Sequence, residues 1–202
     1  MPVKSRREEY AALTRAALLE ASSQLFVAKG FGPTSVDDIA AAARVSKGAV
    51  YYHFPDKRTI FDEVFRASQQ AVMTHVAEAA STDQDSPWAL AESSARAFLH
   101  SFEIDADKRS LLRQSAGVLG VERCRQIDEE LALPQMRFLL EVLDNRGELQ
   151  PVDLDTAATV IFGMLCEAAT SVAFARSPKK AARDAGEVVV HLLSGLRKPA
   201  ES

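Results

Sequence analysis

The sequence predicts an all-α protein. Alanine is abundant, and β-branched runs bounded by turn residues are scarce. Apolar residues recur three and four apart over long stretches. Ser, Asp, Gly and Pro stand at the breaks, where helix caps and stops belong. The 202 residues suffice for one or two compact domains with a real core.

About nine helices follow. The first spans roughly 6–29, with Leu13, Ala17, Ala21, Leu25 and Phe26 on one face. Gly30 ends it, Lys29 suits its last turn, and Phe31-Gly32-Pro33 cannot continue it. Ser35 is placed to cap a second helix running to about residue 43, with Asp37 and Asp38 at its positive end and Ile39 and Ala43 turned inward. Arg44-Val45-Ser46 makes a turn, and Ser46 caps a third helix from Lys47 to about His53 or Phe54, with Val50 and Phe54 as its buried side. Asp56 caps a fourth to about residue 80, whose apolar face is Ile60, Phe61, Val64, Phe65, Ala71 and Val72.

The polar run 81–85 reads as a loop, and Ser86-Pro87 opens a fifth helix ending near Ile104. A sixth runs from Asp105 to about Ser115, interrupted by Gly117 and Gly120. A seventh covers 121–145, bent at Pro134. Asp153 caps an eighth to Arg176, and Pro178 starts a ninth ending near Leu196, beyond which the tail is expected to fray. The eighth is apolar around much of its circumference (Val160, Ile161, Phe162, Met164, Leu165, Ala168, Ala169, Val172, Phe174), and the ninth carries Val188, Val189, Val190, Leu192, Leu193 and Leu196. More than one side of this pair requires cover.

Charge is uneven. The net charge is −4, yet residues 1–60 hold nine Lys/Arg against six Asp/Glu, and residues 61–202 hold fifteen against twenty-two. A modestly basic head sits on an acidic body. The charged first residues carry no apolar segment behind a basic start, which excludes a signal peptide, and no run reaches the roughly eighteen apolar residues of a membrane span. A cytoplasmic location is the expectation. Cys124 and Cys166 are far apart, outside any C-x-x-C pair, and read as reduced, buried apolar residues.

The stretch VDDIAAAARVSKGAVYYHF, residues 36–54, concentrates the chemistry. Two short helices around a tight turn must be held by their neighbours, and a buttressed, polar-tipped helix suits a DNA major groove. Gly48 keeps that helix slim, at about 1 kcal/mol relative to alanine in a helix interior. Lys47 has the reach for a phosphate or a guanine edge, and Ala49 can touch a thymine methyl. Tyr51, Tyr52 and His53 offer groups to phosphates. Ser46 is as well suited to capping as to contact; each tyrosine has core packing as its alternative, and His53 an internal hydrogen bond.

Thr34-Ser35-Val36-Asp37-Asp38-Ile39-Ala40, Val45-Ser46-Lys47-Gly48-Ala49-Val50-Tyr51-Tyr52-His53-Phe54-Pro55-Asp56-Lys57 and the lead-in Leu25-Phe26 through Lys29-Gly30-Phe31 resemble the amino-terminal signature of the tetracycline-repressor (TetR) family. The resemblance is dense over residues 10–60. A weaker likeness to some members' ligand domains lies at Val118-Leu119-Gly120 and Glu122-Arg123 through Ile127-Asp128. It implies a three-helix helix-turn-helix DNA-binding domain, residues 1–55, and a helical ligand-sensing and dimerisation domain, residues 56–202. The expected DNA-facing set is Thr34, Ser35, Arg44, Ser46, Lys47, Gly48, Ala49, Tyr51, Tyr52, His53 and Lys57. Two residues depart from the family pattern. Arg44 stands where glycine is common in the turn, and a left-handed backbone there costs on the order of 1 kcal/mol. Asp37 stands where some members turn an arginine to DNA, and an acid there repels phosphates.

The resemblance also implies a homodimer on a near-palindromic operator, released by a small effector, with no cofactor. The expected dimer surface is Ile161, Leu165, Ala168, Val172, Val189, Leu192, Leu193 and Leu196. The expected pocket lies between the fourth and eighth helices, with His75, Trp88, Phe98, Phe102, Arg113, Met136 and Phe162 as candidate lining, each having plain core packing as its alternative. Their apolar bias suggests a hydrophobic or aromatic effector. Enzyme signatures are missing from the sequence. No glutamate has a histidine three residues later, and His53, His75, His100 and His191 form no H-x-x-x-H pair. There is no P-loop and no G-x-G-x-x-G. Asp128-Glu129-Glu130 reads as a solvated helix face, and His100 with Glu103 as a surface pair.

Overall fold

Each short helix of the amino-terminal third is closed by its own side chains. A computed structural model describes residues 6–80 and 86–199; the expected loop at 81–85 lies outside them. The helices are α1 (Arg6–Lys29), α2 (Val36–Ala42), α3 (Lys47–His53), α4 (Lys57–Ala80), α5 (Pro87–Ile104), α6 (Ala106–Leu119), α7 (Val121–Leu131), α8 (Leu133–Asn145), α9 (Leu154–Phe174) and α10 (Pro178–Ser194). Gly30 stops α1 with φ +86°. Ser35 and Asp38 form a reciprocal capping box on α2. At its end Arg44 is left-handed, φ 56°, with Arg44 N–H donating to Ala41 O at 3.2 Å and Val45 N–H to Ala40 O at 2.9 Å. This pair of bonds is a Schellman turn with arginine in the position glycine usually takes.

Among the described residues, ten helices replace the expected nine. The 121–145 stretch is two helices, because Pro134 lacks the N–H that would carry one helix through and instead occupies the first turn of α8. Gly117 does not interrupt α6, which runs on to Leu119 and stops at Gly120, φ 82°. The tail does not fray at once: Lys198 N–H donates to Glu148 O at 2.8 Å, and the Arg197 guanidinium lies over Trp88 and on Glu92. In α1 the buried face is Leu18, Ala21, Ser22 and Phe26, leaving Leu13 exposed and Ala17 exposed as well. Ala71 of α4 is also exposed.

Two cores result. One gathers Leu18, Phe26, Ile39, Val50 and Phe54 of the head with Ile60, Phe61, Val64 and Phe65 of α4 and Leu111, Leu119 and Ile127 of α6 and α7. The other fills the space between distal α4, α5, α8, α9 and α10 around Phe98, Phe102, Leu143, Leu165 and Val172. Because α4 enters both, it is the rod joining head and body.

By length and composition α9 is apolar enough to cross a membrane, with mean hydropathy 1.6, contrary to the expectation that no run would be. Its alanines, valines and larger apolar residues raise the average, while threonines, a serine and a glutamate break the run. Here Ala158, Ile161, Phe162, Leu165, Ala169, Val172 and Ala173 are buried as the helix packs against α5, α6, α8 and α10. That packing corrects the expected dimer surface. Ile161, Leu165, Val172, Val189 and Leu193 are buried within the protomer core, Leu196 lines an internal cavity, and Ala168 packs partly buried against the core. Of that set Leu192 is exposed, joined by Val160 and Val188.

Candidate nucleic-acid interface and ligand cavity

The third helix has one anchored side and one free side. Val50 and Phe54 are each 1% exposed, whereas Tyr51 is 50% and Tyr52 76% exposed. These values exclude core packing for both tyrosines. Gly48 is exposed, and a Cβ there would meet only Ser46 Oγ, at 3.8 Å, so the bare backbone is a feature of the surface and not of internal packing. Ser46 acts as the cap: its Oγ accepts from Ala49 N–H at 3.2 Å. The His53 ring stands edge-on to Tyr52, centroids 5.0 Å apart. Arg44 is exposed at the turn beside this helix.

Lys47 is not a free cation. Its Nζ lies 3.0 Å from the Asp37 carboxylate across the turn, both side chains exposed, and that carboxylate holds the ammonium above its ordinary range. The acid that departs from the family pattern is therefore the lysine's partner.

Two expected DNA contacts have other employment. Thr34 is buried, and its hydroxyl donates to Gly30 O at 2.7 Å, so its side chain is withdrawn from the surface. Lys57 turns inward. Its Nζ donates to Phe31 O at 2.7 Å and Thr34 O at 2.6 Å and sits 4.2 Å from the Phe31 ring centroid. A lysine so engaged ties the α1–α2 loop to α4 instead of reaching phosphate. Ser35 N–H is taken by Asp38, which removes one of the amides expected to favour a phosphate.

Among the described residues of the body, two apolar cavities meet at shared lining residues. The smaller, about 120 Å³, is lined by Trp88, Met136, Leu140, Ile161, Leu193 and others. The larger, about 430 Å³, lies between α4, α6, α7 and α9 and includes Phe102, Arg113, Cys124, Asp128, Cys166 and Phe174. Phe98 and Phe162 border both, their rings edge-on with centroids 6.3 Å apart. Of the expected lining residues, Trp88, Phe98, Phe102, Arg113, Met136 and Phe162 reach one cavity or the other. His75 borders neither; its ring sits 6.0 Å from that of His100, and His100 Nδ1 is 3.0 Å from Glu103. Cys124 and Cys166 are free, only partly buried, and both on the larger cavity. Burial raises both thiols' pKa, so neither is an activated nucleophile.

Asp128 corrects the reading of residues 128–130 as a solvated face. It lines the larger cavity, where Gln69 Nε2 donates to its Oδ1 at 3.0 Å and Cys166 Sγ stands 4.0 Å from Oδ2. Burial pushes its pKa up to about 6. The spacing carried the signal: Cys124, Asp128 and Ala132 are four apart, and Ile127 is fully buried beside them, which puts Asp128 at the edge of the inward stripe of α7.

The head and the larger cavity lie on opposite sides of α6. Leu112, Arg113, Ser115 and Ala116 line the cavity. Gln114 faces away, accepting from Phe31 N–H at 2.7 Å and donating to Phe26 O at 3.0 Å. Arg58 of α4 adds a bond to Leu119 O at 2.7 Å.

Comparison with known proteins agrees with this geometry. Residues 18–64 match the family model for bacterial regulatory proteins, tetR family, and residues 88–196 match the tetracyclin repressor-like C-terminal domain. The chain is similar to the HTH-type transcriptional repressor BepR of Brucella suis, 30% identical over 79% of this chain and 80% of that one. The Transposon Tn10 TetC protein of Escherichia coli is 26% identical over 81% and 82%. A crystal structure of a TetR-family transcriptional regulator from Pectobacterium atrosepticum superposes with TM-score 0.80 at 27% identity, over 97% of this chain and all of that one.

Proposed function

Because the chain belongs to the TetR family of bacterial regulatory proteins, DNA-binding repressors that answer to a ligand, we propose that two copies bind a near-palindromic operator and leave it when a small effector enters the body. Residues 1–55 serve as the DNA head and 56–202 as the sensing and dimerising body, with α4 as the joint. The observation that carries this reading is α3, anchored by buried Val50 and Phe54 while Lys47, Gly48, Tyr51 and Tyr52 are exposed and Ala49 is half-buried between them. Two such helices related by a two-fold axis would enter successive major grooves about 34–36 Å apart.

Val160 on α9 and Val188 and Leu192 on α10 are exposed apolar residues of the carboxy-terminal helices, and we assign the dimer contact to them. The effector would lie in the larger cavity and favour a dimer whose heads are wrongly spaced, so ligand and DNA oppose each other through one coupling energy. The exposed tip of α3 has no role in a helical binding protein that ignores DNA. The reading gives the chain no catalytic activity and no cofactor, and places it in the cytoplasm with its operator.

The test is footprinting on DNA upstream of its own gene, at several salt concentrations and with small molecules added. A protected palindrome whose affinity falls steeply with salt supports the proposal. Unchanged binding after joint replacement of Lys47, Tyr51 and Tyr52 by alanine would overturn the choice of helix.

A further inference from the structure

Resting on that reading, we infer that the larger cavity is built for an amphipathic organic cation: an apolar body among Phe98, Phe102, Phe162 and Phe174, with a protonated amine on Asp128. The cavity's lining is mostly apolar, and such a site selects chemistry through its few polar groups. The charged groups on it are Arg113, Arg125, Asp128 and Glu129, with the thiols of Cys124 and Cys166. Two of the four, Arg125 and Glu129, pair with each other. Arg113 donates to Ala173 O at 2.7 Å. Arg125 lies 3.3 Å from Glu129 and 3.5 Å from Glu122. Both arginines are exposed, at the rim and not in the interior.

Asp128 differs. One of its oxygens accepts from the neutral Gln69 amide, and the other faces a thiol at 4.0 Å. Arg66 and Arg123, the nearby basic residues of α4 and α7, are taken by Glu130 and Asp62. A partly buried carboxylate held by neutral donors carries a desolvation cost, and a cation arriving with the ligand would offset it. Burial, which lifts its pKa to about 6, still leaves it largely ionised at neutral pH and ready to pair. A carboxylate-bearing ligand would meet repulsion there instead.

The test uses three naphthyl probes of equal length: 4-(1-naphthyl)butylamine, the neutral 4-(1-naphthyl)butan-1-ol and the anionic 4-(1-naphthyl)butanoate, titrated against the full-length protein by naphthyl fluorescence and calorimetry. The amine is expected to bind at least tenfold tighter than the alcohol, and the carboxylate weakest. Asp128→Asn should bring amine and alcohol within about twofold while leaving alcohol binding intact; a matching melting temperature shows that the variant folds. In the wild type, amine affinity should fall as pH drops through about 6 while alcohol affinity stays flat, a readout that needs no variant. Equal binding of amine and alcohol, preference for the carboxylate, an amine preference that survives Asp128→Asn, or no binding of any probe at millimolar concentration would each overturn the inference. Release of operator DNA is measured separately. If the amine binds through Asp128 and DNA stays bound, the cation site stands and the effector reading falls; if another molecule releases DNA and the amine has no advantage, the reverse holds.

Discussion

Gln114 and Phe31 are 83 positions apart in the chain, yet the Gln114 side-chain oxygen accepts the Phe31 backbone N–H at 2.7 Å. That bond, with the donation from the same amide to Phe26 O, fastens α6 to the end of α1. Since α6 also walls the larger cavity, it joins α4 in linking that cavity to the head. Gln114→Leu should leave the Phe31 N–H unsatisfied and lower unfolding stability by about 1–3 kcal/mol. In DNA-binding assays the effector-free affinity should persist, while the affinity ratio with and without effector shrinks. An unaltered ratio would show that coupling travels by another route.

Lys57 predicts a separation of stability from DNA binding. Lys57→Met removes two short bonds to carbonyls and the contact with the Phe31 ring. Denaturant unfolding should register a loss of about 2–3 kcal/mol, in the range for charged hydrogen bonds. The slope of log affinity against log salt should stay the same, since no phosphate contact is lost.

Asp37→Asn should act in the opposite sense on DNA. It frees Lys47 from its partner, so affinity for random-sequence duplex should rise severalfold and the salt slope steepen by about one counterion. Discrimination between operator and random DNA should narrow, because the lysine loses the carboxylate that orients it. A slope equal to that of the wild type would mean that Lys47 touches no phosphate.

The pH dependence of stability should expose Asp128. Its folded pKa, about 6, lies above the unfolded value near 3.8, so the fold binds this proton more tightly than the unfolded chain does. Its contribution is therefore most favourable below pH 4 and is lost as pH rises through about 6. Wild-type stability minus that of Asp128→Asn should fall by about 1–3 kcal/mol between pH 4 and pH 7. A flat difference would place Asp128 in water.

The head was legible because its signals are local. Ser35 and Ser46 cap, Gly30 stops, and Val50 and Phe54 repeat at four; each acts within a turn or two of chain. The internal bonds of Lys57 and Thr34 are not legible for the same reason. Their partners, Phe31 and Gly30, lie across a loop whose path no periodicity fixes. The body was legible as helices but not as surfaces. Ile161 and Val160 are equally apolar neighbours on α9, and only the docking of α5, α8 and α10 decides which is buried. Asp128 went unseen as a cavity group because an acid beside two others on a helix most often faces solvent, and the faint pattern Cys124–Asp128–Ala132 weighs little without its partner Gln69 on another helix.

Two phenyl rings, Phe98 and Phe162, border both cavities and stand edge-on to each other. Rings turn or shrink by single substitutions. One codon change at either position reshapes both chambers, of about 120 Å³ and about 430 Å³, while leaving the caps of the head, the Gln114 fastening and the outer face of α9 and α10 untouched. With the effector placed there as proposed, the chemistry this scaffold answers to can drift over generations while its grip on DNA stays the same.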